Sequence, residues 1–146
     1  MRETLLDAGV LIPHLWPDHQ FHEAVQRWKR RNSHAGWATC AVTQAAFVRV
    51  LSNPGFPKDA MISPQDAADL LEANLAHPHH RFWRDDRGLI EAIRRVKPLQ
   101  THREVTDAYL LGLALRHKGR LATMDRGIAR LLPEDADPEV LEIIRA

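Results

Sequence analysis

Cysteine is almost missing from this sequence. Cys40 stands alone, so no internal disulfide forms and no Cys-x-x-Cys pair offers a structural zinc or redox centre. A reducing, cytoplasmic setting is the expectation. Long apolar runs are also lacking: the chain reaches Asp7 before the hydrophobic region of a signal peptide has room to form, and nothing approaches the roughly 18 apolar residues of a membrane span. No membrane association is expected. Nor is there a surplus of charge of one sign, with 20 Lys plus Arg against 19 Asp plus Glu. That balance excludes a protein that coats nucleic acid by bulk counterion release, so any nucleic-acid site must be local. The short basic groups, such as Arg27-Lys29-Arg30-Arg31 and Arg94-Arg95-Lys97, read as solvated helix faces.

What is present is an ordinary globular composition, 45% hydrophobic and 27% charged over 146 residues. This is enough for one domain over residues 1–146 with a real core. Thr4-Leu5-Leu6 reads as a buried first strand ending at Asp7, and Val10-Leu11-Ile12 before Pro13 as the turn leaving it. Phe21, Ala24, Val25 and Trp28 fall at i, i+3, i+4 and i+7, a helix begun near Asp18 and ended near Arg31. Gly36 to Val42 reads as a strand and Thr43 as the cap of a helix closed by Asn53-Pro54-Gly55. Ser63-Pro64-Gln65-Asp66 combines a capping hydroxyl, a proline at the first helical position and a first-turn acid. A strand at His80–Trp83, a helix around Leu89–Ile93, and a helix from Val105 to His117 stopped by Gly119 follow. Then come a strand from Arg120 to Met124 ending at Asp125, a short helix from Ile128 to Leu132, and a last strand from Val140 to Ile144. Strands alternating with helices predict an α/β domain whose parallel sheet is covered on both faces.

In such a sheet the ligand site lies beyond the carboxyl ends of the strands. Asp7 closes the first strand and Asp125 closes the Leu121–Met124 strand, while Asp107 lies in the first turn of a strongly apolar helix, where the helix dipole favours a carboxylate. Taken singly, each also reads as a turn former, an N-cap or a first-turn acid. Brought together, three carboxylates repel unless a cation sits among them, and hard oxygen donors suit Mg²⁺ or Mn²⁺. The chemistry that follows is metal-assisted hydrolysis of a phosphate ester, with water as nucleophile. The histidines His19 and His22, and the group His77, His79 and His80, lack a cysteine or an obvious third ligand and are read as structural or surface residues. Trp16, Trp28, Trp37 and Trp83 are spread over unrelated segments, which suits core or partner contacts better than a base-stacking platform.

Four segments carry a resemblance: Thr4 to Ile12, Trp37 to Cys40 leading into Thr43 to Pro54, Val105 to Leu111, and Leu121 to Gly127. In this order they resemble a PIN-domain toxin ribonuclease of the VapC type, over nearly the whole chain. The resemblance implies a three-layer α/β/α sandwich with a mainly parallel central sheet. It implies an Mg²⁺- or Mn²⁺-dependent endoribonuclease with an RNA substrate, homodimeric, and held inactive by a cognate antitoxin protein. Asp7 matches the first metal ligand, Asp107 the helix-borne ligand and Asp125 the later strand-end acid. The antitoxin segment is expected in an apolar groove lined by Phe21, Val25 or Trp28.

Two positions depart from the family pattern. Gln44 stands where a glutamate is usual, which removes one negative charge from the catalytic set, and Gly9 stands where an asparagine is usual. These departures are what a second reading would need, a catalytically weak PIN-like RNA-binding or regulatory module. An aspartyl-nucleophile phosphatase would want an acid at Gly9, and a dinucleotide-binding module would want a G-x-G-x-x-G after the first strand. Neither is there.

Overall fold

The computed structural model describes residues 2–32, 36–58 and 61–146. Five short strands, β1 (Thr4–Leu6), β2 (Trp37–Thr39), β3 (His80–Phe82), β4 (Arg120–Thr123) and β5 (Leu141–Ile143), lie side by side in the order β3-β2-β1-β4-β5. Every neighbouring pair is parallel. The connections run through α1 (Ala8–Leu15), α2 (His22–Arg31), α3 (Ala41–Leu51), α4 (Pro64–Leu75), α5 (Gly88–Ile93) and α6 (Val105–His117).

Period-two alternation splits the core between the two faces of the sheet. Leu5 and Leu121 join the layer of Ala92, Leu110, Leu111 and Leu113 from α5 and α6. Leu6 and Ala122 join the opposite layer, with Val10 and Leu11 of α1, Val25 of α2, Phe47 of α3 and Leu71 of α4. This is the three-layer α/β/α sandwich. Leu5 and Leu6 are fully buried, which is worth about 1.5–3 kcal/mol each against a net ~1 kcal/mol per ladder hydrogen bond. Side-chain burial and the ladders to β2 and β4 therefore make comparable contributions to holding so short a strand in place.

Several boundaries differ from the sequence expectations. Val10-Leu11-Ile12 is helix, not turn: the Asp7 carbonyl accepts from Val10 N and Leu11 N, each at 2.8 Å. Pro13 costs only its own bond to Gly9, which is exposed. Because α1 is buried nearly all round, it shows no helical period. α2 begins at His22, since Phe21 N is taken by His19 Nδ1 at 3.0 Å in the turn before it. β2 stops at Thr39, and Ala41 and Val42 open α3. The cap is therefore Cys40 and not Thr43, which lies inside the first turn and accepts from Cys40 N at 3.0 Å. The Ser63 cap of α4 is as expected, accepting from Asp66 N at 3.0 Å.

At the end of α6 the left-handed residue is Lys118 (φ 55°) and not Gly119. Gly119 answers a different demand: a Cβ there would lie 2.5 Å from the Trp83 ring and 2.7 Å from the Glu3 carbonyl. Met124 lies just past β4, and residues Arg126–Leu131 form a 3₁₀ turn. Val140 ends a second such turn, and Ile144 lies past β5. α5 is pinned to α6 by Arg116, which reaches both Asp85 and Glu91 at 2.8 Å.

Candidate active site

β1 is the hinge of the topology. From it the chain steps outward to β2 and β3 on one side and returns to β4 and β5 on the other, so the crevice at the carboxyl ends of β1 and β4 is a topological switch point. Asp7 and Asp125 leave those two strands into it, and Asp7 N still donates to Ala122 O at 3.0 Å.

Asp7 is the N-cap of α1, yet its side chain does not cap the helix. Its Oδ2 instead accepts from Thr123 Oγ1 at 2.9 Å. Burial raises the Asp7 pKa, the bonds from Thr123 and Ala8 oppose the rise, and the charge of Asp125 adds to it. Asp125 is fixed by its own backbone: its N–H donates to Thr123 Oγ1 at 3.1 Å, and its Oδ1 accepts from Gly127 N at 2.8 Å. Asp107, the third residue of α6, is half-buried. Burial, followed by the charges of Asp7, Asp125 and Glu104, pushes its pKa up to about 6. Glu104 itself is committed, bridged to Arg130 and accepting from Gln100 N at 2.8 Å and Thr101 N at 3.1 Å.

Thus Asp7, Asp107 and Asp125 share one electrostatic neighbourhood, and among the described residues none of them forms a salt bridge with a basic side chain. No three His, Cys, Asp or Glu side chains among the described residues close around a single point. The acids feel one another's charge without converging. An oxygen-only donor set with uncompensated charge fits a hard divalent cation, which would relieve the repulsion that raises Asp107. Gln44 lies in the first turn of α3 at the same edge of the sheet, its Nε2 donating to Thr39 Oγ1 at 2.9 Å.

Residues 4–131 match the family model of the PIN domain. The chain belongs to the PIN-domain family. It is 42% identical over 128 residues to Ribonuclease VapC44 of Mycobacterium tuberculosis, covering 86% of this chain and 88% of that protein. Against Ribonuclease VapC39 of the same organism the identity is 40% over 127 residues, covering 86% and 91%. Against Ribonuclease VapC38 it is 41% over 128 residues, covering 88% and 89%. The fold also matches a chain in the crystal structure of VapBC2 from Rickettsia felis bound to a DNA fragment from their promoter, with a TM-score of 0.66 at 9% identity over 98% of this chain and 99% of that one. The chain is a PIN-domain protein of the VapC type.

In this PIN domain the residue that sequence reasoning missed is Thr123, whose hydroxyl joins Asp7 to Asp125. A threonine inside an apolar strand looks like any β-former; its one signal was a hydroxyl that burial obliges to find a partner. The expected groove on the first amphipathic helix is corrected. Val25 and Trp28 are buried in the core, and Phe21 is half-buried beside His19. The exposed apolar side chains Val42, Leu89 and Val105 instead line, with Thr106 and Tyr109, a cleft of about 300 Å³ beside the first turn of α6, the turn that carries Asp107. A concavity of about 410 Å³ between Trp28, Arg31, Asn32 and the exit of β5 carries none of the three acids. The histidines serve local structure: His22 Nδ1 lies 2.6 Å from Pro13 O, and His14, His77 and His80 surround the Trp37 ring. At Gly9 a Cβ would meet nothing within 4 Å, so the structure has room for a side chain there.

Proposed function

We propose that this PIN domain is an endoribonuclease that uses Mg²⁺ or Mn²⁺, and that it is the toxin of a toxin–antitoxin pair. The observation that carries this reading is the uncompensated group of Asp7, Asp107 and Asp125 at the switch point, with Asp107 raised to about 6. The relatives' names, all ribonucleases, support the substrate class. Asp7, Asp107 and Asp125 would hold the cation, which supplies charge neutralisation, a polarised phosphoryl oxygen and a water of lowered pKa. Asp7 and Asp125 ride on the ends of two central strands, so their positions are set by the core. The Thr123 hydroxyl holds one carboxylate oxygen of Asp7.

The cleft of Val42, Leu89 and Val105 adjoins the first turn of α6 and is the surface we assign to an apolar antitoxin segment. With water as the nucleophile, the products are a 5′-phosphate and a 3′-hydroxyl. Mapping the ends of structured RNAs cut by the purified protein tests this, and a 2′,3′-cyclic phosphate would refute it. RNA binding without any cleavage would favour the regulatory module that Gly9 and Gln44 suggest.

A further inference from the structure

Gln44 stands where the resemblance implies a glutamate, and its amide is not free. Nε2 donates to Thr39 Oγ1 at 2.9 Å, and the same oxygen lies 2.8 Å from His80 Nε2. His80 Nδ1 lies 3.1 Å from the Leu75 carbonyl. The Trp37 ring, 4.8 Å from that of His80 between centroids, packs beside it.

The direction of every bond in this chain follows from its far end. A carbonyl only accepts, so Nδ1 of His80 carries a proton. Burial pushes the His80 pKa down, the Leu75 carbonyl pushes it up, and the charges of Arg81 and His77 push it down again. The net shift is downward, so at pH 7 the ring is neutral and Nε2 is bare. A bare Nε2 accepts the Thr39 hydroxyl proton. Thr39 is fully buried and then has only lone pairs left to offer residue 44. Only an N–H can satisfy them.

We propose that Thr39 and His80 are positioning residues for Gln44: the chain from Gln44 through Thr39 and His80 to the Leu75 carbonyl fixes the amide with its NH₂ on Thr39 and its Oε1 left over at the carboxyl edge of the sheet. The neutral amide at 44 and the neutral imidazole at 80 are thus a matched pair. A glutamate at 44 has no proton to give. Thr39 must then donate to it, Oγ1 becomes an acceptor toward His80, and Nε2 takes up a proton from solvent while Nδ1 keeps its own. The ring becomes an imidazolium facing a carboxylate through one hydroxyl, with His77 and Arg81 as the other titratable or charged groups beside it.

The bearing on cleavage rests on Gln44 belonging to the catalytic set, but the tautomer of His80 is read without RNA or cation. Long-range ¹H–¹⁵N NMR of the full chain at pH 7 measures it directly, with His80 assigned by its loss in His80→Gln. Wild type is expected to show a protonated Nδ1 and a bare Nε2. Gln44→Glu is expected to raise the His80 pKa by about one unit or more, and adding Thr39→Val is expected to remove most of that rise. A wild-type proton on Nε2 overturns the proposal whether or not any variant folds. So does a His80 pKa unmoved by Gln44→Glu. The expected tautomer in a protein that cuts no RNA would refute the nuclease reading and leave this chain of bonds standing.

Discussion

The Thr123 hydroxyl donates to Asp7 Oδ2 at 2.9 Å while accepting the Asp125 amide at 3.1 Å, so one side chain from β4 sets the relation between two of the three acids. Thr123→Val keeps the shape and removes both bonds. Losing a hydrogen bond to a charged group costs about 1.5–3 kcal/mol. Urea denaturation should show a loss of that size, with slower RNA cleavage, and Thr123→Ser should recover most of both. A Thr123→Val protein of wild-type stability and rate would remove Thr123 from the site.

The pH dependence of the cation-free protein follows from Asp107. Its folded pKa of about 6 exceeds the ordinary 3.8, so between those values the folded state holds more protons than the unfolded one. The contribution of Asp107 to stability therefore falls as pH rises from about 4 to about 6. Thermal melts in chelator should show Asp107→Asn lacking this fall and melting above wild type at pH 7. Parallel melting curves for the two proteins across this range would contradict the shift.

Two helical glycines should respond with opposite signs. At Gly112 in α6 a Cβ would lie 2.1 Å from the Ala92 carbonyl of α5, whereas at Gly9 in α1 it would meet nothing within 4 Å. Gly112→Ala forces the two helices apart at a cost of about 1–3 kcal/mol or more. Gly9→Ala stabilises α1 by about 0.5–1 kcal/mol. Denaturant midpoints measure both, and a neutral Gly112→Ala would mean that α5 is not seated on α6 as described.

What the sequence disclosed were features written locally. The apolar run into Asp7, the strand into Asp125 and the Ser63-Pro64 start of α4 each sit within a few residues of their cause. α1 was hidden because burial on nearly every side erases helical period and Pro13 mimics a stop. The stripe of Val25 and Trp28 reads as a partner surface because an apolar helix face looks the same whether it meets its own sheet or another chain. Thr123 on Asp7, and His80 on Thr39, join residues 116 and 41 positions apart, a pairing set by strand order and not by any spacing along the chain.

The central claim is that Asp7, Asp107 and Asp125 act as one divalent-cation site for RNA hydrolysis. Single-turnover cleavage of a structured RNA by wild type and by Asp7→Asn, Asp107→Asn and Asp125→Asn, each shown folded by its melt, tests it most directly. Cleavage by wild type should stop in chelator and return with Mg²⁺ or Mn²⁺, and each variant should be slower by about a hundredfold or more, which is about 2.7 kcal/mol of barrier. Cleavage that persists in chelator, or three folded variants that cut at the wild-type rate, would contradict it.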